Sequence, residues 1–394
     1  MSLSNSPGGT IWTVRLAIVN SIGFSATTIM PLWIATLPSA LGTPAWQISL
    51  IATIQLVACG LFNVASPWLS SKMKPLEVAR IALLIATLAC LGQAVALTHA
   101  GLALPVFAAA AAVSGAALGV LLGMTNRIMA GVDHVQKGYA IFQIVEVCFA
   151  STFFLTSAWL LKQHGPWTIF LVASAVSAAG LAALHGLANP RQFVADPAIV
   201  ADGRPHFLRG MLLLIAMLCF FSGQSSINSF IIPIGRGIGL DAASVAQIVG
   251  AGMVFALFGA AAARIIGERF GLAGPIAWAA LLLAADFLFL TRSPLPIGFA
   301  IGVAFIPFGT ILALPFLLTA LVQADAGGRI AAIGPAFILC GVALGPLIST
   351  TLDGVIGRAA LGFVAALLIV SAGCIIAVTQ TKSLSRAFSS RASA

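Results

Sequence analysis

Residues Asn189 to Phe207 read NPRQFVADPAIVADGRPHF, and this stretch decides the architecture. It holds Arg191, Asp196, Asp202, Arg204 and His206 between two very apolar halves. Pro190, Pro197, Pro205 and Gly203 break any helical pattern, and charge this dense carries a large desolvation cost in hydrocarbon. It reads as a linker. Six long apolar segments can be marked on each side, so the expected domains are an N-terminal six-helix bundle (1–188), a cytoplasmic linker (189–207) and a C-terminal six-helix bundle (208–394).

Composition supports this reading. The chain is 60% hydrophobic and 7% charged, with a mean hydropathy of +1.10, more apolar surface than one water-soluble core can hide. Its apolar runs reach about 20 residues, enough to cross roughly 30 Å of hydrocarbon as helix, and alternating barrel strands are absent. The expected class is all-α integral membrane, with twelve transmembrane helices in two six-helix pseudo-repeat bundles embedded in the lipid bilayer. The start MSLSNSPGGT lacks the basic region, short apolar core and cleavage site of a signal peptide, so span 1 is expected to remain as a mature helix.

Spans are placed near 11–37, 47–69, 79–98, 103–126, 138–161, 167–187, 208–234, 243–266, 273–290, 295–321, 328–350 and 358–380. With a cytoplasmic amino terminus, 15 of the 19 basic residues fall on inner loops and span ends. Only Lys162, Arg236, Arg292 and Arg358 fall outside. This positive-inside bias predicts a multi-pass protein of the cytoplasmic (inner) membrane with both termini in the cytoplasm. It also accounts for the net charge of +9 without a nucleic-acid partner. The six cysteines all lie in apolar segments with no CxxC spacing, and the five histidines are scattered, so neither disulfides nor a metal site is expected.

An internal repeat follows. Span 1 reads NSIGFSATTIMP from Asn20 to Pro31 and span 7 reads FSGQSSINSFIIP from Phe221 to Pro233, each with Gly, Ser two residues on, and an outer Pro. A second echo places Asp133 and Lys137 before Tyr139-Ala140-Ile141, and Asp325 and Arg329 before Ile330-Ala331-Ala332. Duplicated bundles are a known route to alternating-access carriers.

With twelve spans, a 6+6 duplication, a polar linker and cytoplasmic ends, the chain resembles the major facilitator superfamily of secondary transporters. The local signature is that family's Gly-x-x-x-Asp-Arg-x-Gly loop: after span 8 this chain has RIIGERFG, with Glu268, Arg269 and Gly271 at the matching positions and Arg264 at the first Gly. After span 2, Ser66 and Ser70 replace the Gly and the acid, and the cations Lys72 and Lys74 remain. The resemblance implies that Glu268, Arg269 and Gly271 form a cytoplasmic latch. Gly341-x-x-x-Gly345-Pro346 is similar to the drug-antiporter motif but stands on span 11 rather than span 5, so no antiporter assignment follows from it.

Polar groups inside apolar helices must face a cavity or a partner. The resemblance sets spans 1 and 7 across a central cavity, which makes Asn20, Ser25, Thr28, Gln224, Ser225 and Asn228 candidate solute contacts. Arg15 and Arg127 join them and tilt the choice toward an organic anion. Glu146, about eight residues into span 5 and roughly 12 Å along it, is expected to cluster with Arg15 and Arg127 and to carry proton coupling. Asp286 on span 9 is a second coupling candidate, expected to point toward span 8 or 10. Helix-to-helix hydrogen bonding is the alternative reading for the polar residues of spans 1 and 7, a lone structural hydrogen bond for Asp286, a static Arg-Glu pair that fixes packing for Glu146, and snorkelling to the inner interface for Arg127.

Ala111, Gly115, Gly119 and Gly123 give span 4 a smooth packing face, and Pro307, Gly309, Pro315, Gly334-Pro335 and Gly345-Pro346 are hinge candidates. No phosphate loop or HExxH pair is present. The expectation is a non-enzymatic, monomeric, proton-coupled carrier of a small organic solute, without a cofactor. Multidrug/proton antiport is the alternative, and a membrane-embedded enzyme or lipid flippase is the alternative of another class.

Overall fold

The computed structural model describes residues 9–69, 73–98, 103–130, 135–187, 207–266, 271–293, 295–324, 329–355 and 357–392. Among them are fourteen helices: α1 (Thr10–Gly23), α2 (Ser25–Leu41), α3 (Ala45–Leu69), α4 (Pro75–Ala96), α5 (Ala103–Ala130), α6 (Val135–His164), α7 (Trp167–Leu184), α8 (Phe207–Gly237), α9 (Ala242–Gly252), α10 (Phe255–Ile266), α11 (Ala273–Leu290), α12 (Pro296–Ala324), α13 (Arg329–Val355) and α14 (Arg358–Ala392). No strand occurs among the described residues. Helix is the expected outcome where water is absent, because it satisfies each backbone donor and acceptor within the segment.

Twelve stretches are long and apolar enough to cross a membrane, since α1 with α2 and α9 with α10 each make one span. Both interruptions have local causes. At Phe24 (φ −88°, ψ 1°) the backbone N–H bonds back to Ser21 O at 3.1 Å, a tight three-residue closure. The Phe24 carbonyl then accepts from the Thr28 N–H (3.1 Å) and from the hydroxyls of Thr27 (2.7 Å) and Thr28 (3.0 Å). Such hydroxyl back-bonding bends helices. At Met253–Val254 the ladder likewise closes in three-residue steps, Val254 N to Ala251 O and Leu257 N to Val254 O.

The chain forms two compact units, one of Met1–Ala195 with Gly235–Gly250, the other of Asp196–Ile234 with Ala251–Ala394. Within the first, α3 lies along α5 on the glycine face read from the sequence. A Cβ at Gly115 or Gly119 would overlap the carbonyl oxygens of Gln55 or Cys59, so only glycine admits so close a backbone. Gln55 Nε2 donates to Ser114 Oγ across this seam at 2.9 Å. Helix α4 packs on α5 and α7, and α1 on α5, α6 and α7. Trp33, Phe107 and Phe170 form a buried aromatic triad with ring centroids 5.0 to 6.0 Å apart.

The placement of Gly235–Gly250 departs from the expected division at the linker. Its reason is packing: a Cβ on Gly250 would lie 2.6 Å from Leu155 Cγ of α6, so these helices touch backbone to side chain.

The second unit repeats the pairing of the first. Helix α10 meets α12, with Gly259 against Phe308; α11 meets α12, with Leu283 against Gly309; and α11 meets α14. These match α3 with α5, α4 with α5, and α4 with α7. Helix α8 packs on α13 at Gly341 and Gly345 and on α14 at Gly223. The linker 189–207 lies outside the described residues except for Phe207, where α8 begins.

Candidate functional site

In the first unit the basic residue nearest the start of span 1 has a structural role. Arg15 Nε donates to Ala183 O at 2.9 Å, and Nη2 donates to the carbonyls of Ala182 and His185. Arg80 Nη2 reaches Leu184 O at 3.2 Å. Two guanidiniums therefore cover the unsatisfied carbonyls at the C-terminus of α7, where the helix dipole also favours positive charge. The expected cluster of Arg15 with Glu146 does not form, because α7 engages the Arg15 donors. In the second unit Arg209, at the start of α8, donates to a side chain instead, Gln380 Oε1 on α14, at 2.9 Å.

Other candidates in this unit divide by partner. Asn20 is buried, and its Oδ1 accepts the Thr125 hydroxyl of α5 at 2.8 Å. Ser25 is buried, and Thr28 bonds to its own helix at Phe24. Thr27 and Thr28 are half-buried in the first turn of α2, beside the half-buried Phe24 that precedes it. Arg127 is exposed near the end of α5. Glu146 is half-buried on α6 and makes neither a hydrogen bond nor an ion pair among the described residues.

In the second unit Gln224 and Asn228 stand four residues apart on one face of α8. Both are half-buried, and neither amide makes a hydrogen bond among the described residues. Their neighbours differ. The Ser225 hydroxyl donates to Val342 O of α13 at 2.7 Å beneath Gly345, which makes it a packing clamp. Ser226 and Ser229 bond back to their own helix. Asp286 is 7% exposed on α11 and has an unpartnered Oδ2, and a Cβ on Gly302 of α12 would lie 3.0 Å from its Oδ1. It thus points toward span 10.

Of the residues expected to form a latch, Glu268 and Arg269 lie outside the described residues, and Gly271 is a turn residue with φ +64°. Among the described residues no group of three or more potential metal ligands converges. Sequence reasoning passed over Gln93 of α4, which is fully buried with both amide atoms unpartnered, and over the helix break at Phe24. Gln93 is the sole amide within the apolar run of span 3, a signal that was present in the sequence.

No family model and no curated protein matches the chain. Solved structures do. A D-xylose-proton symporter is similar with a TM-score of 0.75 at 14% identity, covering 93% of this chain and 96% of that one. A POT family transporter in complex with 5-aminolevulinic acid gives 0.76 at 11% identity, covering 96% and 99%. A human organic anion transporter gives 0.64 at 16% identity, covering 93% and 98%. The chain therefore has the fold of major-facilitator-type transporters over nearly its whole length.

Proposed function

We propose that the protein is a secondary active transporter that moves a small organic solute across the inner membrane by alternating access, coupled to protons. The observation that carries this reading is the pair Gln224 and Asn228. Two uncommitted amides one turn apart on a membrane helix are costly unless a cavity or a ligand meets them. The fold is shared with carriers of sugars, peptides and organic anions, which supports the class. Asn20, Ser25 and Thr28 line the same role from span 1. Glu146 is the coupling carboxylate and Asp286 the second candidate, because each lacks an internal counter-ion. Both termini lie in the cytoplasm, on the 15 to 4 division of basic residues. The functional unit is a monomer, and Glu268, Arg269 and Gly271 form its cytoplasmic latch.

The test is uptake into proteoliposomes of labelled carboxylates and cationic drugs, with and without a pH gradient, for wild type, Gln224→Ala/Asn228→Ala and Glu146→Gln. The amide variant is expected to raise the KM for the transported solute at least about tenfold, the loss of two hydrogen bonds in a desolvated site. Glu146→Gln is expected to abolish gradient-driven accumulation while counterflow of unmodified solute survives. A chemically changed product would mark an enzyme instead. Accumulation unaffected by Glu146→Gln would move the coupling role to Asp286.

A further inference from the structure

On the side of the first unit opposite Arg15 and Arg80, a cavity of about 440 Å³ opens between the ends of α2 and α6 and the Arg236–Ala243 turn. That volume suits a small organic molecule. Its charge is unbalanced. Lys162 and Arg236 line it with one carboxylate, Asp241, and neither cation makes an ion pair within 4 Å among the described residues. These are two of the four basic residues that the topology proposed above leaves on the outer side. Bringing both to one cavity raises the local potential for anions, where only loose pairing with Asp241 opposes it.

The Asp241 carboxylate is itself engaged. Its Oδ1 accepts the Ser244 N–H at 2.6 Å and caps α9, and this bond, with the Lys162 charge, holds its carboxyl below the usual range. It stays ionised at neutral pH, and the cavity retains one net positive charge. The hydroxyls of Thr36 and Ser39 donate to Leu32 O and Thr36 O, so toward the cavity they offer lone pairs that accept. Leu161, Pro166 and several alanines complete an apolar wall. A ligand that satisfies all three features has a carboxylate for Lys162 and Arg236, a hydrogen-bond donor for Thr36 or Ser39, and a short apolar body.

We infer that this cavity is an outward-facing binding site for small hydroxy- or amino-carboxylates, held by Lys162 and Arg236. It captures the anion at the membrane surface, with residues other than the α8 amides.

The experiment uses full-length protein in right-side-out vesicles with Ser39→Cys at the rim, labelled by a membrane-impermeant maleimide, and mandelate as the probe. Mandelate is expected to slow labelling severalfold, and its neutral amide is expected to leave the rate unchanged. In Lys162→Gln/Arg236→Gln the mandelate concentration for half-protection rises at least about tenfold, as loss of charge-assisted hydrogen bonds requires. Lys162→Arg/Arg236→Lys, which keeps both charges, restores protection and shows that the cavity still folds. Absence of protection in the Ser39→Cys protein, equal protection by the amide, or protection retained by the neutral double variant overturns the inference. The readout needs neither gradient nor turnover, so it can fail while transport survives and survive while transport fails.

Discussion

Arg15 shows how a side chain's role depends on what lies beside it. Its charge within an apolar span fits a solute contact as well as a cap, and α7 decides for the cap by presenting three carbonyls to one guanidinium. Arg15→Met is expected to destabilise the protein by about 1 kcal/mol, the scale of a charge at a helix C-terminus, read as a lower thermal midpoint in detergent. Solute affinity is expected to hold. A variant of unchanged stability and lost affinity would return Arg15 to the solute site. Asp241 gives the pH prediction. Its folded pKa lies below the ordinary carboxylate value, so its contribution is present above that ordinary value and is lost as pH falls through the folded one. Thermal midpoints of wild type and Asp241→Ala are therefore expected to differ at pH 7 and to converge in acid. A gap that persists unchanged in strong acid contradicts the cap.

Helices and their seams were partly legible. The four-residue spacing of Gly115, Gly119 and Gly123 announced a packing face, and α3 occupies it. Gly119→Ala forces a methyl group into the Cys59 carbonyl, so α3 and α5 must part, at a cost of about 1–3 kcal/mol, the range for overpacked cores. The check is the folded fraction by size-exclusion chromatography, with exposed Ile85→Ala as a neutral control. Hinges were less legible. Helix α12 runs unbroken through Pro307 and Pro315, with nearby hydroxyl bonds from Thr310 to Ile306 O and Thr319 to Pro315 O. The interruptions fall instead at Phe24 and Met253–Val254, where no proline stands. Three donors converging on one carbonyl make the first of them, a pattern that residue type alone leaves undetermined.

For the whole chain the asymmetry of basic residues predicts a definite topology. With single cysteines at Arg292→Cys and Lys382→Cys, an impermeant maleimide is expected to label position 292 in intact cells and position 382 only after permeabilisation. The reverse pattern would invert the topology. The duplication is deeper than the short motifs suggested. Arg15 and Arg209 are not matched by any quoted repeat, yet each ties the start of its half's first span to the end of its last. The sequence by itself determined the number, length and helical nature of the spans, because crossing a membrane requires about 20 apolar residues in succession and that is a local property of the chain. It also showed which residues were polar within those spans. Only the tertiary structure decided which of them are engaged, since their partners lie far along the chain, 105 residues for Asn20 with Thr125 and 168 for Arg15 with Ala183. Gln224 and Asn228 stand out as two uncommitted amides one turn apart on α8, while Ser225, Ser226 and Ser229 beside them are already hydrogen-bonded.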